Sequence, residues 1–298
     1  MPVIQIIDKQ HWHDLRHHHV GASDVSALFP GVGGFKSHFE LWVEKSGKLT
    51  HEELDSERVD LGNALEWPII EVAGKRNGWT VSKPLGYSIH DNVQGMGCTP
   101  DAIISDENGR LCLGELKVVD YVIFKQEWID GEPPLKYLLQ LQHQLACTGF
   151  YCGKIIAYII GSGIKIYHYE RHEHTIALIE HAVRTFWQDV KNGKEPKISA
   201  DDYDVVRAMY GETSGETIDL SGDNELPSLC AAYQDINRKR LETEKEEKRL
   251  KAEIINKIGS AAEATTSGFR IRYPEILKNM KAKEAHVQRY RQLTIKEA

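Results

Sequence analysis

The chain has 298 residues, enough for one large domain or for one domain with an appendage. Its 41% hydrophobic and 27% charged residues are ordinary for a globular protein, and no apolar run approaches the length of a membrane span, so a membrane-embedded role is excluded. A net charge of -7 excludes a protein that coats DNA without specificity, but it leaves room for a local basic channel and for acidic metal ligands. The opening MPVIQIIDKQHWHDLR has neither a basic leader nor a long apolar core, so no secretory signal is expected. Cys98, Cys112, Cys147, Cys152 and Cys230 form no C-x-x-C pair. An odd count without metal spacing predicts reduced thiols and a cytosolic home.

In chain order, Trp12 and Leu15 belong to a short helix that breaks at Gly21-Ala22. Ser23 or Asp24 then caps a second helix running through Leu28. A hydroxyl-capped helix start is a ready phosphate site, and Arg16 is placed to fold back onto it; a plain cap is the competing reading. His17-His18-His19 is a solvated patch, since consecutive imidazoles fan out around a helix. GVGGFKS at 31–37 lacks the Gly-Lys-Ser/Thr ending of a phosphate loop and joins two helices. Ser37 caps the next helix, which Gly47 ends.

Residues 60–78 form a helix that Pro68 should kink or restart; it carries Glu66 and Glu71. Val81–Ile89 is a strand. Residues 120–134 are a connection. Leu135–Thr148 is a helix started by Pro133-Pro134 and ended by Gly149, with Gln140 and Gln144 on one face. Strands at 154–160 and 164–170 flank a Gly-Ser-Gly turn. The helix at 173–192 turns Ile176, Ile179, Val183, Phe186 and Val190 to the core. This is a mixed α/β pattern, a central sheet flanked by helices.

The character changes near residue 200, so the expected division is 1–200 and 201–298. Residues 211–225 are a polar linker. Leu226–Ile258 is a long helix of mixed charge, solvated or coiled-coil. FRIRY (269–273) and QLTIK (292–296) are expected to pair as a small sheet. Lys278, Lys281, Lys283, Arg289 and Arg291 make this end locally basic, a hint of nucleic-acid contact.

The chemistry gathers at Gly95–Val118. Asp101 follows a proline and opens a short apolar run. Asn108-Gly109 is a hairpin turn. In the returning strand, Glu115 and Lys117 are two apart and share a face, while Leu116 points into the core. The hairpin brings Asp101 close to them. Two carboxylates and the Leu116 backbone carbonyl make an oxygen-rich corner suited to Mg²⁺, and a neighbouring lysine can hold a phosphate or orient a metal-bound water. A surface hairpin with a Glu–Lys pair is the plainer reading. Against it, charges on a strand packed on both sides are costly unless they bind something.

The order Pro100-Asp101…Glu115-Leu116-Lys117 resembles the PD-(D/E)xK nuclease signature. Over residues 10–165 the chain resembles the lambda exonuclease family, in its branch of YqaJ-like viral recombinases. The matching pieces are Trp12–Arg16, Gly21–Asp24, Phe39–Gly47, Gly62–Glu66, Cys98–Ala102, Gly114–Lys117 and Tyr137–Gln142. The resemblance implies a restriction-endonuclease-like α/β (α+β) core, here with a C-terminal helical and small-sheet extension. It implies an Mg²⁺-dependent enzyme, with Mn²⁺ substituting and two ions per site, that digests one strand of linear duplex DNA from 5′ to 3′. Asp101, Glu115, Glu66 and the Leu116 carbonyl would hold metal. Lys117 would position the nucleophilic water, with Gln140 close to it. Arg16 and Ser23 would hold the 5′-phosphate.

The implied partners are double-stranded DNA ends, a single-strand-annealing protein for recombination, and further copies of the chain in a trimeric ring. The implied setting is the cytoplasm of a bacterial host, with a phage or prophage gene. Trp67, which separates Glu66 from Pro68, departs from the Glu-Pro of many members. The tail at 200–298 has no counterpart in lambda exonuclease. Two other readings are an endonuclease or repair nuclease on the same fold, and a non-catalytic DNA-binding scaffold.

Overall fold

A computed structural model describes residues 2–49 and 57–276. The chain divides into two compact units, meeting in sequence between Met209 and Tyr210. In chain order the first unit contains β1 (Val3–Ile4), α1 (Lys9–His17), α2 (His38–Lys45), α3 (Glu57–Asn77), β2 (Thr80–Ser82), β3 (Tyr87–Ile89) and β4 (Gly97–Cys98). It continues with β5 (Ala102–Ser105), β6 (Leu111–Val119), α4 (Tyr121–Glu127), α5 (Leu135–Thr148), β7 (Cys152–Ile159), β8 (Gly163–Glu170), α6 (Glu173–Lys191) and α7 (Tyr203–Met209). The second unit contains α8 (Leu226–Ile258), β9 (Glu263–Thr266) and β10 (Phe269–Arg272). No helix among the described residues is long and apolar enough to cross a membrane.

A five-stranded mixed sheet in the order β2-β5-β6-β7-β8 organises the first unit. All its pairings are antiparallel except β6 with β7. A parallel pair needs a crossover, and α4 and α5 supply it. Alternation along β6 sends Leu113 and Val119 to the α5 face, where they pack with Leu141, Leu145, Ile155 and Ile159. Leu116 points the other way, onto Ile69, Ile70 and Ala73 of α3. The opposite side of α5 (Leu139, Ala146, Cys147) packs on α2 and α6 through Leu41, Trp42, Ile179 and Val183. Helix α5 is therefore central, covered on both sides, and its residues from Leu139 to Cys147 are all buried. Gly149, at φ 78°, ends it in the left-handed conformation that a side chain disfavours.

Several elements differ from the sequence reading. The strand expected at 81–89 is two strands in different sheets: β2 pairs with β5, while β3 joins β1 and β4. Pro84 and Gly86 lie between them, and a Cβ on Gly86 would stand 2.2 Å from the Ile4 carbonyl oxygen, so the chain must cross close to β1 there. Helix α3 runs unbroken through Pro68. The proline costs one backbone hydrogen bond, which burial of Ile69 and Ile70 on the sheet offsets. The expected helix through Leu28 is a four-residue 3₁₀ turn, Val25–Leu28, whose cap residue Asp24 makes no side-chain capping bond. The connection after β6 contains α4, capped by the Asp120 carboxylate on the Val122 N–H. His19 turns inward from the triple-histidine tract: its ring meets Tyr87 and bonds the Leu15 carbonyl oxygen.

Cys112 and Cys152, expected as reduced thiols, are joined by a disulfide with Cα atoms 4.8 Å apart. They lie side by side where β6 and β7 begin their parallel pairing, a proximity that 40 residues of separation hide from the sequence. In the second unit, α8 is lined by ion pairs one turn apart, such as Lys251–Glu247 at 2.5 Å. Phe269–Arg272 of FRIRY pairs with Glu263–Thr266 through the tight turn at Gly268. QLTIK and the basic residues from Lys278 to Arg291 lie outside the described residues.

Gly153 sets how closely α5 approaches the sheet: a Cβ there would stand 2.5 Å from Leu141 Cδ1, a fully buried atom group. Gly153→Ala is expected to lower stability by about 1–3 kcal/mol through overpacking, read by thermal or urea unfolding. An unchanged midpoint would show that α5 is free to move off the strand.

Candidate active site

Glu115 sits in the middle of the face of β6 that α5 covers, and it is 2% exposed. A carboxylate there is tolerable only with partners. It has three. Lys117 Nζ donates to Oε1 at 2.5 Å, Gln140 Nε2 donates to the same oxygen at 2.6 Å, and Gln144 Nε2 donates to Oε2 at 2.6 Å. Gln140 and Gln144 are one turn apart on α5, so the helix presents both amides to one carboxylate. Gln142, between them, faces the other way: it takes the His172 N–H and donates to the Glu170 carbonyl oxygen. Gln140 and Gln144 thus form a buried clamp on Glu115.

Asp101 stands immediately before β5. Its Oδ2 accepts the Leu116 backbone N–H at 2.7 Å, which fixes this carboxylate beside the Glu115–Lys117 segment. Burial pushes the Asp101 carboxyl well above the usual carboxylate range; the charges of Glu115 and Glu66 push it further, and Lys117 only partly offsets them. Glu66 on α3 is raised for the same reasons, burial first and then Glu115. Trp67 does not turn Glu66 away from this field; its indole donates to Glu71 at 3.0 Å. Glu66 and Leu116 line an open groove of about 560 Å³ together with Leu61, Leu65, Val118 and Asp120. Burial pulls Lys117 down, but Glu115 and Asp101 outweigh it, so it is an ammonium at neutral pH. Its Nζ also lies 5.0 Å from the centre of the Tyr137 ring.

Three carboxylates thus share one field, with Lys117 beside Asp101 and Glu115 and Lys83 acting on Glu66. Among the described residues no group of three His, Cys, Asp or Glu side chains stands close enough to enclose an ion. The donor set is all oxygen, and Gln140 Oε1 and Gln144 Oε1 are buried without hydrogen-bond partners. That combination fits Mg²⁺, which binds through one or two carboxylates and keeps several waters. It does not fit a thiolate- or imidazole-bound metal.

Arg16 and Ser23 form a second cluster. Arg16 Nη2 donates to Ser23 Oγ at 3.3 Å. The guanidinium also lies 4.8 Å from the centre of the Trp12 ring, and the Trp12 indole donates to Thr99 Oγ1 at 3.3 Å, two residues before Asp101. Ser23 stands one residue before the cap of a short 3₁₀ turn and not at the start of the longer helix expected from sequence, and Arg16 is held also by the Asp24 carboxylate. That carboxylate is buried, which alone would raise its pKa, yet Lys45, Arg16 and Lys36 hold it at about 2. Sequence reasoning missed Lys36, Lys45 and the clamping role of Gln144. Only the four-residue spacing of Gln140 and Gln144 signalled any of these.

His143 ties α5 to the strand that leads into Asp101. Its Nε2 lies 3.1 Å from the Gly97 carbonyl oxygen, so this nitrogen carries the proton. Burial lowers its pKa from 6.5 to about 4. The unfolded chain therefore binds a proton that the native chain does not, and the stability His143 contributes is full above pH 6.5 and falls as pH drops toward 4. Urea unfolding across pH 7 to 4 is expected to show this loss, with a shallower slope in His143→Gln. An identical slope in the variant would contradict the neutral assignment.

Residues 11–151 match the family of the YqaJ-like viral recombinase domain. The chain is 26% identical over 281 residues to the uncharacterized protein YqaJ of Bacillus subtilis (strain 168), covering 92% of this chain and 85% of that protein. Among solved structures, an alkaline exonuclease (LHK-Exo) from Laribacter hongkongensis aligns with a TM-score of 0.52 at 22% identity, over 62% of this chain and 94% of its own. The same protein in complex with dAMP aligns with a TM-score of 0.53 over the same shares. These likenesses show a common fold, the helix-flanked mixed sheet of nuclease structures. Residues 11–151, the stretch that matches the YqaJ-like viral recombinase domain, hold both clusters.

Proposed function

We propose that the protein is a metal-dependent 5′-to-3′ exonuclease that digests one strand of linear double-stranded DNA and leaves a 3′ single strand for recombination by strand annealing. One observation carries this reading: Asp101, Glu115 and Glu66 share one electrostatic field, beneath two glutamines whose amide oxygens lack partners. Asp101, Glu115, Glu66 and the Leu116 carbonyl would hold Mg²⁺, two ions when the phosphate is bound, with Mn²⁺ as a substitute. When bound, the metal supplies an activated water and neutralises charge on the phosphodiester.

The chain's own residues do the rest. Lys117, held as an ammonium, hydrogen-bonds the attacking oxygen or a phosphate oxygen as negative charge develops. Gln140 fixes the Glu115 carboxylate through Nε2 and offers Oε1 to a water proton; Gln144 does the same from the next turn. Arg16 and Ser23 receive the terminal 5′-phosphate, a charge-assisted contact that favours a bidentate guanidinium. That contact sets which end of the duplex is held while the adjacent phosphodiester is presented to Asp101 and Glu115. An alkaline exonuclease shares this fold, which is consistent with this chemistry. The reading extends to a ring-shaped homo-oligomer, a trimer by family resemblance, to a single-strand-annealing partner that takes up the 3′ strand, and to the cytoplasm of a bacterial host carrying a phage-derived gene.

The test is digestion of linear and of covalently closed circular duplex DNA, with 5′-phosphate or 5′-hydroxyl ends, in Mg²⁺ or EDTA. Loss of linear duplex alone, only with metal and faster from the 5′-phosphate, is the expected result. Lys117→Ala is expected to slow the reaction by roughly 10²–10³-fold, the usual cost of removing one transition-state donor. Cutting of closed circles would replace the exonuclease with an endonuclease, and no cutting under any metal would remove the catalytic reading.

A further inference from the structure

Behind Arg16 and Ser23 lies an ion network that the chemistry above does not use. Asp24, 3% exposed, is its hub. Arg16 Nη2 at 3.5 Å and Lys36 Nζ at 3.7 Å both approach Asp24 Oδ1. Lys45 Nζ at 3.5 Å and the Gly21 N–H at 3.2 Å approach Oδ2. The Lys45 side chain has no exposed surface; it also donates to the Arg16 backbone carbonyl oxygen at 2.7 Å and to Glu44 at 3.1 Å. Lys36 pairs with Glu44 as well. A Cβ on Gly21 would stand 3.1 Å from Asp24 Oδ2 and 3.9 Å from Arg16 Nη2, so glycine keeps this cradle open.

Two properties separate this network from a structural salt bridge. It holds three cations against two carboxylates, hence one positive charge more than it neutralises. Two of those cations, Arg16 and Lys36, converge on a single carboxylate oxygen and repel each other there. An anion arriving at Ser23 relieves both. Burial of the charges on Asp24 and Lys45 makes the arrangement rigid before a ligand arrives, which is what preorganised recognition of a phosphate needs.

We propose that Asp24 and Lys45 are positioning residues for a terminal phosphate monoester, an inference that rests on the reading of Arg16 and Ser23 as its receptors. Asp24 aims the guanidinium at Ser23. Lys45 fixes the Arg16 main chain at the end of α1. Lys36, partly buried beside it, supplies the second cation of the pocket.

The test is equilibrium binding by the full-length protein, in EDTA so that nothing is cleaved. The probe is a fluorescent duplex oligonucleotide ending in a 5′-phosphate or a 5′-hydroxyl. The wild type is expected to bind the phosphorylated end more tightly, and Asp24→Asn and Lys45→Met to reduce that ratio at least five-fold. A merely structural role would lower the melting temperature and leave the ratio unchanged. A folded Asp24→Asn protein that keeps the full ratio overturns the inference while the Arg16–Ser23 reading stands. A wild type indifferent to the end group removes that reading and the inference with it. If Asp24→Asn and Lys45→Met do not fold, Lys36→Met, at the partly exposed cation of the network, decides: a reduced ratio supports the pocket, and an undiminished one overturns it. Because no catalysis is measured, an inactive nuclease would leave this result interpretable.

Discussion

A carboxylate buried against the central helix is the constraint on which the rest of this structure depends. Glu115 lies on the covered face of β6, where its neighbours two residues either way are Leu113 and Lys117. Leaving it without partners would cost more than most domains have to spare. The chain meets the demand from α5, whose two glutamines one turn apart reach both oxygens, and from Lys117 on the same strand. Much else follows from keeping α5 at that distance. Gly153 lets the helix sit close, Gly149 ends it, and His143 fastens its far side to the Gly97 carbonyl beside the segment leading into Asp101.

That clamp satisfies Glu115 but not the cluster. Asp101 is held by a backbone N–H from Leu116, and Glu66 reaches the same field from α3 on the opposite face of the sheet. Burial and the neighbouring carboxylates raise both Asp101 and Glu66, and Lys117 and Lys83 offset this only in part. The fold therefore stores an unmet demand for positive charge at the end of a strand pair. A hard cation with its own waters is the simplest group that meets it. The Arg16–Asp24 cluster stores the opposite imbalance, an excess of cations around a rigid hub. The two clusters are linked through Trp12, whose indole reaches Thr99, two residues before Asp101. A terminal phosphate has the charge that complements the cationic cluster, and a phosphodiester would complement the carboxylates only through a cation held between them.

Much of this was legible in the sequence where local periodicity decides structure. The two-residue period at 111–119 placed Glu115 and Lys117 together, and Asn108-Gly109 set the hairpin that brings Asp101 to them. The Ser37 cap, the Gly149 stop and the amphipathic face of 173–192 all follow from neighbours within a turn or two. What the sequence concealed is tertiary. Cys112 meets Cys152 only because β6 and β7 run parallel. The segment at 81–89 alternates like one strand, but the crossing over Ile4 divides it between two sheets. Pro68 is a helix breaker by local rules, and sheet packing overrides it. The hub at Asp24 draws Lys36 and Lys45 from 12 and 21 residues away, a convergence no spacing rule anticipates.

The central claim is that the carboxylates of Asp101, Glu115 and Glu66 form a divalent-cation site on a fold that already supplies their partners. Calorimetric titration of Mn²⁺ into the metal-free full-length protein tests it most directly, with Asp101→Asn as the comparison. Saturable binding by the wild type and its loss in the variant, with the fold of both intact, is the result this account predicts. Binding that survives Asp101→Asn, or no saturable binding by the wild type, would contradict it.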